Sequence, residues 1–336
     1  MPENGFSKYG LGPRTVRELE EETRFLKGER KVSEFITAIK GRKEIPLKFE
    51  YLNRGADRYE KAALASVYAD SYQEAPLVDD ALHALLGFTR GYRVNLMYVG
   101  CGNGTKAIPA IKELGKLHQP LNYALVDISP AMLLKAYNNT RKLYHGPIII
   151  RNFEWDFEEG NFAYVTDYMR KNGEPVNVIL FLGGTIGNLS DRARILANFR
   201  ESMTLSDYLM ITFFMLPRNV DKLVQVYANN PLSDAWVVTA LEEIGVDKNG
   251  GSVKVSFNRK KQQVEIHFVL LRDVVGRVED REIHLRKGQK VLLGTSHKFT
   301  RSEIRNLLNL SGFHIVWSRV NKGSTMATVL CQPRSL

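Results

Sequence analysis

The chain is poor in the residues that build disulfide scaffolds, zinc modules and membrane spans. It has two cysteines in 336 residues, Cys101 and Cys331, too few for a disulfide framework, and no Cys/His cluster has zinc-ligand spacing. Its longest apolar runs, such as Leu209–Leu216, fall far short of the roughly 20 residues that cross a bilayer. The opening MPENGFSKYG is polar and lacks the apolar stretch of a signal peptide. Internal repeats and low-complexity segments are absent. The expectation is a soluble protein of a reducing compartment, most simply the cytoplasm, with no membrane partner and no metal.

What is present is globular: 44% hydrophobic, 25% charged and 10% aromatic residues. The length fits one large α/β domain or two unequal ones. Lys+Arg 47 against Asp+Glu 37 gives +10, which raises nucleic acid or an anionic surface as partners. The charge is uneven, however. Residues 248–305 carry 14 basic and 6 acidic side chains, so +8, whereas residues 61–247 sum to −3. The basicity belongs to the C-terminal third.

Along the chain, residues 13–43 read as one or two solvent-exposed helices, followed by helices at Asp57–Tyr68 and Pro76–Leu86. From residue 94, strands (Val94–Val99, Leu121–Val126, Pro147–Ile150, Val176–Leu182, Asp207–Leu216) alternate with helices (Lys106–Leu117, Ala131–Leu143, Asp191–Met203). That rhythm predicts a parallel sheet covered by helices on both faces. After Pro217 it breaks. Residues 218–245 look helical, Val253–Phe257 and Val264–Arg272 read as an antiparallel pair, and Glu282–Leu285 and Val291–Gly294 flank the turn Arg286–Lys290. A helix at Arg301–Ser311 and strands at His314–Arg319 and Met326–Cys331 restore the α/β pattern.

The first chemical signal is Gly100-Cys101-Gly102-Asn103-Gly104-Thr105, between a strand and a helix start. Glycines there permit a tight turn and close backbone approach to a ligand. Asp127 ends the next strand, where an acidic side chain can accept from both hydroxyls of a ribose; it could equally cap the helix beginning near Ser129. A dinucleotide site prefers Gly-x-Gly-x-x-Gly, because a pyrophosphate needs the helix N-terminus. Here the third glycine comes one residue early, which suits S-adenosylmethionine, an adenosine with a cationic methionine tail and no phosphate. Asp156-Phe157 could bind an adenine amino group and cover the ring, or Asp156 could simply be solvated within the acidic run Glu154–Glu159.

The segment Phe181-Leu182-Gly183-Gly184-Thr185-Ile186-Gly187-Asn188-Leu189 resembles the FLG-x-TIGN signature of the histidine-specific, S-adenosylmethionine-dependent methyltransferases, the family of the L-histidine Nα-methyltransferase of ergothioneine biosynthesis. Other motifs follow in order. Lys48–Gly55 with Tyr51 is similar to its K-x-F-Y…G segment, and Tyr68 follows Tyr51 at the family's spacing. Val226-Tyr227-Ala228-Asn229 resembles A-Y-D. Phe257-Asn258 with Val264-Glu265-Ile266 resembles W-N…I-E-M, and Ser296-His297-Lys298-Phe299 resembles S-x-K-F. The resemblance covers roughly residues 43–331. It implies a Rossmann-like class I methyltransferase domain with a second, mixed α+β substrate-binding domain. The divisions it suggests are 1–75 and 218–298 for the substrate domain, 76–217 for the cofactor core and 299–336 for the segment completing the core sheet.

The resemblance also implies roles. Gly100, Gly102, Lys106, Asp127, Asp156 and Phe157 would line S-adenosylmethionine. Asn188 and Tyr227 would hold a substrate carboxylate; Gly183, Thr185 and Tyr51 would surround the amine; Tyr68 and Ser296 would face the side chain. Asn188, Tyr51 and Tyr227 would be the catalytic group. Two departures stand out. Tyr98 replaces an acidic residue common two positions before the first glycine. Gly294 stands where the histidine enzymes carry an imidazole-binding glutamate, and Ile266 stands where they carry methionine. A lost charge partner weighs against imidazole, because a polar substrate group would be left unpaired. The expectation is therefore N-methylation of an amino-acid α-amine, of histidine or of an aromatic or other amino acid or related amine, yielding S-adenosylhomocysteine. A nucleic-acid or protein methyltransferase using the basic third is disfavoured by the absence of an Asn/Asp-Pro-Pro-Tyr-like loop. A non-catalytic, cofactor-binding regulator is the remaining alternative. The sequence sets no oligomeric state.

Overall fold

The computed structural model describes residues 12–21, 26, 28–64 and 74–335. Among the described residues, twelve strands fall into three sheets. The large one contains β1 (Val94–Val99), β2 (Leu121–Asp127), β3 (Ile148–Glu154), β4 (Val176–Phe181), β5 (Tyr208–Phe214), β11 (Phe313–Val320) and β12 (Met326–Pro333), in the order β11-β12-β5-β4-β1-β2-β3. The first five strands in sequence are parallel, as the alternating pattern predicts. Of the last two, β12 departs from it, running antiparallel between β5 and β11, while β11 points the same way as the first five. A short connection forces this, because residues 321–325 between β11 and β12 can close only a hairpin.

β1 (VNLMYV) and β4 (VNVILF) are buried along their whole length, as expected of central strands covered on both faces. Their alternating side chains divide between two cores. Met97, Val99, Ile179 and Phe181 pack with Phe199 and Phe213 on one face; Leu96, Tyr98, Val178 and Leu180 pack with Leu82, Ile111 and Leu114 on the other. Tyr98 is thus a buried core residue, which accounts for an aromatic at that position.

A third core joins the N-terminal segment to the insertion. Val32, Phe35, Ile39 and Phe49 pack with Leu241, Phe268, Val291 and Leu293. The helices of residues 13–43 are therefore not merely a solvated entry, because the helix Glu29–Thr37 buries Val32 and Phe35. The N-terminal segment is also tied by backbone: Ile45 N donates to Leu292 O at 2.8 Å, and Leu292 N to Lys43 O at 2.8 Å.

The insertion holds β6 (Gly251–Asn258), β7 (Gln263–Leu270) and β10 (Lys290–His297) in one sheet, with β8 (Val274–Val278) and β9 (Arg281–Leu285) in a separate pair. The strands that flank Arg286–Lys290 do not pair across it. β9 pairs with β8, a strand the sequence reading omits because VVGRV carries a glycine, and β10 pairs with β7. A bulge at Leu293 shifts the β10 register, so Gly294 lies opposite Ile266 instead of Glu265. Partners across a ladder share a face, so the bulge chooses an aliphatic neighbour for Gly294 over a carboxylate. Among the described residues, no helix is long and apolar enough to cross a membrane.

Candidate active site

The order β3-β2-β1-β4-β5 reverses direction between β1 and β4, and such a reversal opens a crevice beyond the carboxyl ends of the strands. Both glycine turns lie there. Gly100, Gly102 and Gly104 have φ of 63°, 53° and 77°, a region costly for any residue with a Cβ. A Cβ at Gly102 would meet only Tyr59 Cε1, at 3.7 Å, so this turn presents bare backbone to the crevice.

Asp127 ties that turn to β2. Its Oδ2 accepts from Gly102 N and its Oδ1 from Ser129 N, both at 3.0 Å. The helix Pro130–Leu143 is capped by Ser129, whose Oγ accepts from Met132 N, so the capping reading of Asp127 does not hold. Each carboxylate oxygen keeps a lone pair for a ligand hydroxyl. Burial pushes the Asp127 pKa up to about 6, against the pull of the backbone N–H groups. Hydroxyls donate to the ionised form, so cofactor affinity is expected to fall about tenfold per pH unit below 6. Calorimetry from pH 7.5 to 5.0 should show this fall, with Asp127→Asn weak and flat across the range. Without ligand the sign reverses: the native state holds the proton more tightly, so stability decreases as pH rises through the 4–6 window.

Asp156 is not a solvated acid. Lys48, itself buried, donates to Asp156 Oδ2 at 2.7 Å and pairs with Glu34 at 2.7 Å. Glu34, Asp156 and Glu159 lie close enough to hold a cation, and the Lys48 ammonium already sits among them. The Phe157 ring turns into the core against Phe181 and Phe199, beside Gly100, and so does not lie as a cover over the crevice.

Next to the crevice is a cavity of about 310 Å³. It gathers Tyr51, Gly183, Thr185, Asn188, Tyr227, Ile266, Gly294 and Ser296, every proposed substrate residue except Tyr68, which lies outside the described residues. These residues come from an N-terminal turn, the β4 loop, the helix Val220–Ala228 and strands β7 and β10. Asn188 ends the turn Thr185–Asn188, and its amide makes no hydrogen bond to the described residues, so it is open to the cavity. The Tyr51 ring packs on Tyr59 and Trp236 at 4.9 and 5.1 Å, forming an aromatic wall. Burial raises the Tyr51 pKa well above 10, so its hydroxyl stays protonated and is no base at neutral pH.

Four residues of the site escape the sequence reading. Glu74 lines the cavity and bridges three segments: Oε1 accepts from Gly183 N at 2.6 Å and Thr212 Oγ1 at 2.8 Å, and Oε2 from Lys106 Nζ at 2.6 Å. Burial would raise its pKa, but Lys106 and these bonds outweigh that and hold it low. Gly183 N–H is thus spoken for, and an ammonium needs acceptors in any case. Thr185 Oγ1, which donates to Leu182 O, keeps its lone pairs, and Glu74 is a full carboxylate. Trp236 and Tyr59 are the others in the aromatic wall, and Lys298 lies behind Tyr227. Only Lys298 stood inside a quoted motif. His267 and His297 do not line the cavity; His297 is turned to Lys261 O at 2.9 Å.

The residues suit S-adenosylmethionine: a bare glycine turn, a carboxylate fixed beside it at the end of β2, and the Lys106 ammonium in the wall of the adjoining cavity. Comparison with known structures returns methyltransferases of low sequence identity. The magnesium protoporphyrin IX methyltransferase of Synechocystis PCC 6803, with bound S-adenosylhomocysteine, is 12% identical over 86% of this chain and 98% of that one, with a TM-score of 0.45. An S-adenosylmethionine-dependent methyltransferase of Clostridium acetobutylicum ATCC 824 is 10% identical over 78% and 92%, with a TM-score of 0.42. A glycopeptide N-methyltransferase in complex with S-adenosylmethionine is 11% identical over 76% and 93%, with a TM-score of 0.38. No curated protein matches the chain. The family profile described as "histidine-specific methyltransferase, SAM-dependent" matches residues 29–333. The chain therefore belongs to the histidine-specific, S-adenosylmethionine-dependent methyltransferases, and it is an S-adenosylmethionine-dependent methyltransferase.

Proposed function

We propose that this enzyme methylates the α-amine of an amino acid whose side chain is bulky and apolar or aromatic. The observation that carries the reading is the wall of the cavity around Gly294. Leu47, Ile266, Trp236 and Val237 line it with the glycine. Glu74 is the one carboxylate among the described lining residues, and it is engaged by Lys106 and Gly183. Within this cavity an imidazole would find no carboxylate beyond the engaged Glu74, whereas an indole or phenyl ring would find aliphatic and aromatic contacts.

In this reading Asn188 and Tyr227 bind the carboxylate, and Thr185, Glu74 and the neutral Tyr51 hydroxyl accept from the ammonium. Gly100, Gly102, Lys106 and Asp127 hold the cofactor, with Asp156 at the adenine end and Phe157 packed in the core behind Gly100. Bound there, S-adenosylmethionine supplies an electrophilic methyl group on a sulfonium. The ammonium gives up one proton to solvent before attack; the protein then aims the neutral amine in line and excludes water, which alone can be worth about 7–11 kcal/mol. The aromatic wall of Tyr51, Tyr59 and Trp236 serves the second task.

Part of the positive charge of the C-terminal third is engaged within the protein. Lys298 is buried, Arg277 pairs with Glu282 at 2.6 Å, and Arg281 pairs with Glu29. The proposal is tested by incubating the protein with cofactor and each of the twenty L-amino acids and measuring S-adenosylhomocysteine. Product is expected with tryptophan, tyrosine or phenylalanine. Product with none of the twenty would remove the reading.

A further inference from the structure

Lys298 is a charged side chain with zero solvent exposure, placed immediately behind the cavity wall. Its Nζ donates to Tyr227 Oη and to Ser296 Oγ, each at 2.9 Å, and the two hydroxyls lie 3.2 Å apart. Tyr227 and Ser296 both line the cavity; Lys298 does not. The ammonium also sits over the Phe214 and Tyr227 rings, 4.4 and 5.1 Å from their centroids, so it is held on more than one side. This arrangement differs from the resemblance, which puts Ser296 at the substrate side chain and Tyr227 at the carboxylate. Here the two hydroxyls form one unit.

A lysine has N–H donors and no acceptor. Each hydroxyl that accepts from it has a lone pair committed, and its own proton must go elsewhere. Tyr227 Oη donates to Ser296 Oγ across 3.2 Å, which leaves the Ser296 proton to be donated. A carboxylate offers two acceptor oxygens and can take both protons; an amine offers neither acceptor nor negative charge. We propose that Lys298 is a positioning residue that fixes Tyr227 and Ser296 as paired donors, so that this end of the cavity admits a carboxylate and the enzyme discriminates amino acids from the corresponding amines. The inference rests on the amino-acid reading above and adds to it the device that makes the carboxylate obligatory.

Burial pulls the Lys298 pKa below that of an ordinary lysine, and its interaction with Tyr227 pulls the other way. The donor argument belongs to the ammonium, whose three N–H groups leave no lone pair to accept from either hydroxyl.

The test compares L-tryptophan with tryptamine and L-histidine with histamine, using wild type and Lys298→Met. Wild type is expected to favour the amino acid of the productive pair by about 10²-fold or more in kcat/KM. Lys298→Met, which keeps length but removes the donors, is expected to raise KM for the amino acid at least about tenfold, with the amine little changed. Far-UV circular dichroism and cofactor binding establish that the variant is folded. If Lys298→Met does not fold, Ser296→Ala decides, because it deletes one of the two donors and must narrow the same preference. An unchanged amino-acid/amine ratio in the folded variant overturns the inference, as does an equal fall in kcat for both substrates, which marks a structural role. A wild type that methylates amine and amino acid equally also overturns it while leaving the methyltransferase intact. A wild type that methylates no amino acid overturns the amino-acid reading, and this inference with it.

Discussion

Asn188→Ala is expected to lower methyl transfer by about 10²-fold or more while leaving the affinity for S-adenosylmethionine within a few-fold of wild type. The asymmetry follows from where Asn188 stands. The turn Thr185–Asn188 is fixed by its own backbone: Gly184 has φ 64°, and a Cβ there would meet Phe214 Cδ2 at 2.6 Å. Gly187 N donates to Gly184 O at 2.9 Å, and a Cβ at Gly187 would strike His297 O at 2.8 Å. The turn can therefore form only one way, and it carries an uncommitted amide into the cavity. Removing that amide costs a charge-assisted hydrogen bond, about 1.5–3 kcal/mol, and with it the orientation of the amine. Asp127 and the first glycine turn, which are proposed to hold the cofactor, are separate elements and are untouched. Asn188→Asp should be at least as damaging, since it keeps the shape and repels a carboxylate. Turnover assays paired with cofactor titrations check both parts. Retained turnover in Asn188→Ala would place the reacting amine elsewhere.

Gly294→Glu is expected to shift specificity toward histidine, raising the ratio of kcat/KM for histidine over tryptophan by about 10²-fold or more. Gly294 does not occupy the left-handed region, so a side chain is compatible with the backbone. A Cβ built on it has one neighbour within 4 Å, Leu47 Cδ1 at 3.3 Å, the end of a flexible side chain that can give a few tenths of an ångström. The new carboxylate would enter beside Ile266 and meet an imidazole as a charged acceptor. For an indole the same carboxylate would be a half-desolvated charge facing an apolar ring, which is costly. Steady-state kinetics on both amino acids gives the ratio. If tryptophan is still preferred to the same extent, Gly294 does not set specificity.

Much of this site was legible because the motifs fall on turns whose chemistry is local. The FLG-x-TIGN run forms one local turn, in which Gly183 and Gly184 take φ of 81° and 64°. The strands β1, β2 and β4 were legible because central parallel strands read as unbroken apolar runs. What was not legible depended on long-range pairing. Nothing local in Glu74 says that it bonds Gly183, 109 residues away, and Thr212, 138 residues away. The Leu293 bulge, which turns Ile266 and not Glu265 toward Gly294, is a register choice between strands separated by residues 271–289. The choice for Asp156 between a cofactor ligand and a solvated member of an acidic run stayed open because Lys48, its partner, lies 108 residues earlier. Lys298 lay inside a quoted motif, but a lysine in sequence is by default a surface residue. Its role required the distances to Tyr227 and Ser296.

The central claim is that the methyl group goes to an α-amine held at the Asn188–Tyr227 end of the cavity. The most direct test follows [methyl-13C]S-adenosylmethionine through the reaction with an aromatic L-amino acid and locates the label by NMR and tandem mass spectrometry. The account predicts the labelled carbon on the α-nitrogen, with the side chain unmodified. Label on a side-chain atom, on the carboxylate, or only on added protein or nucleic acid would contradict it.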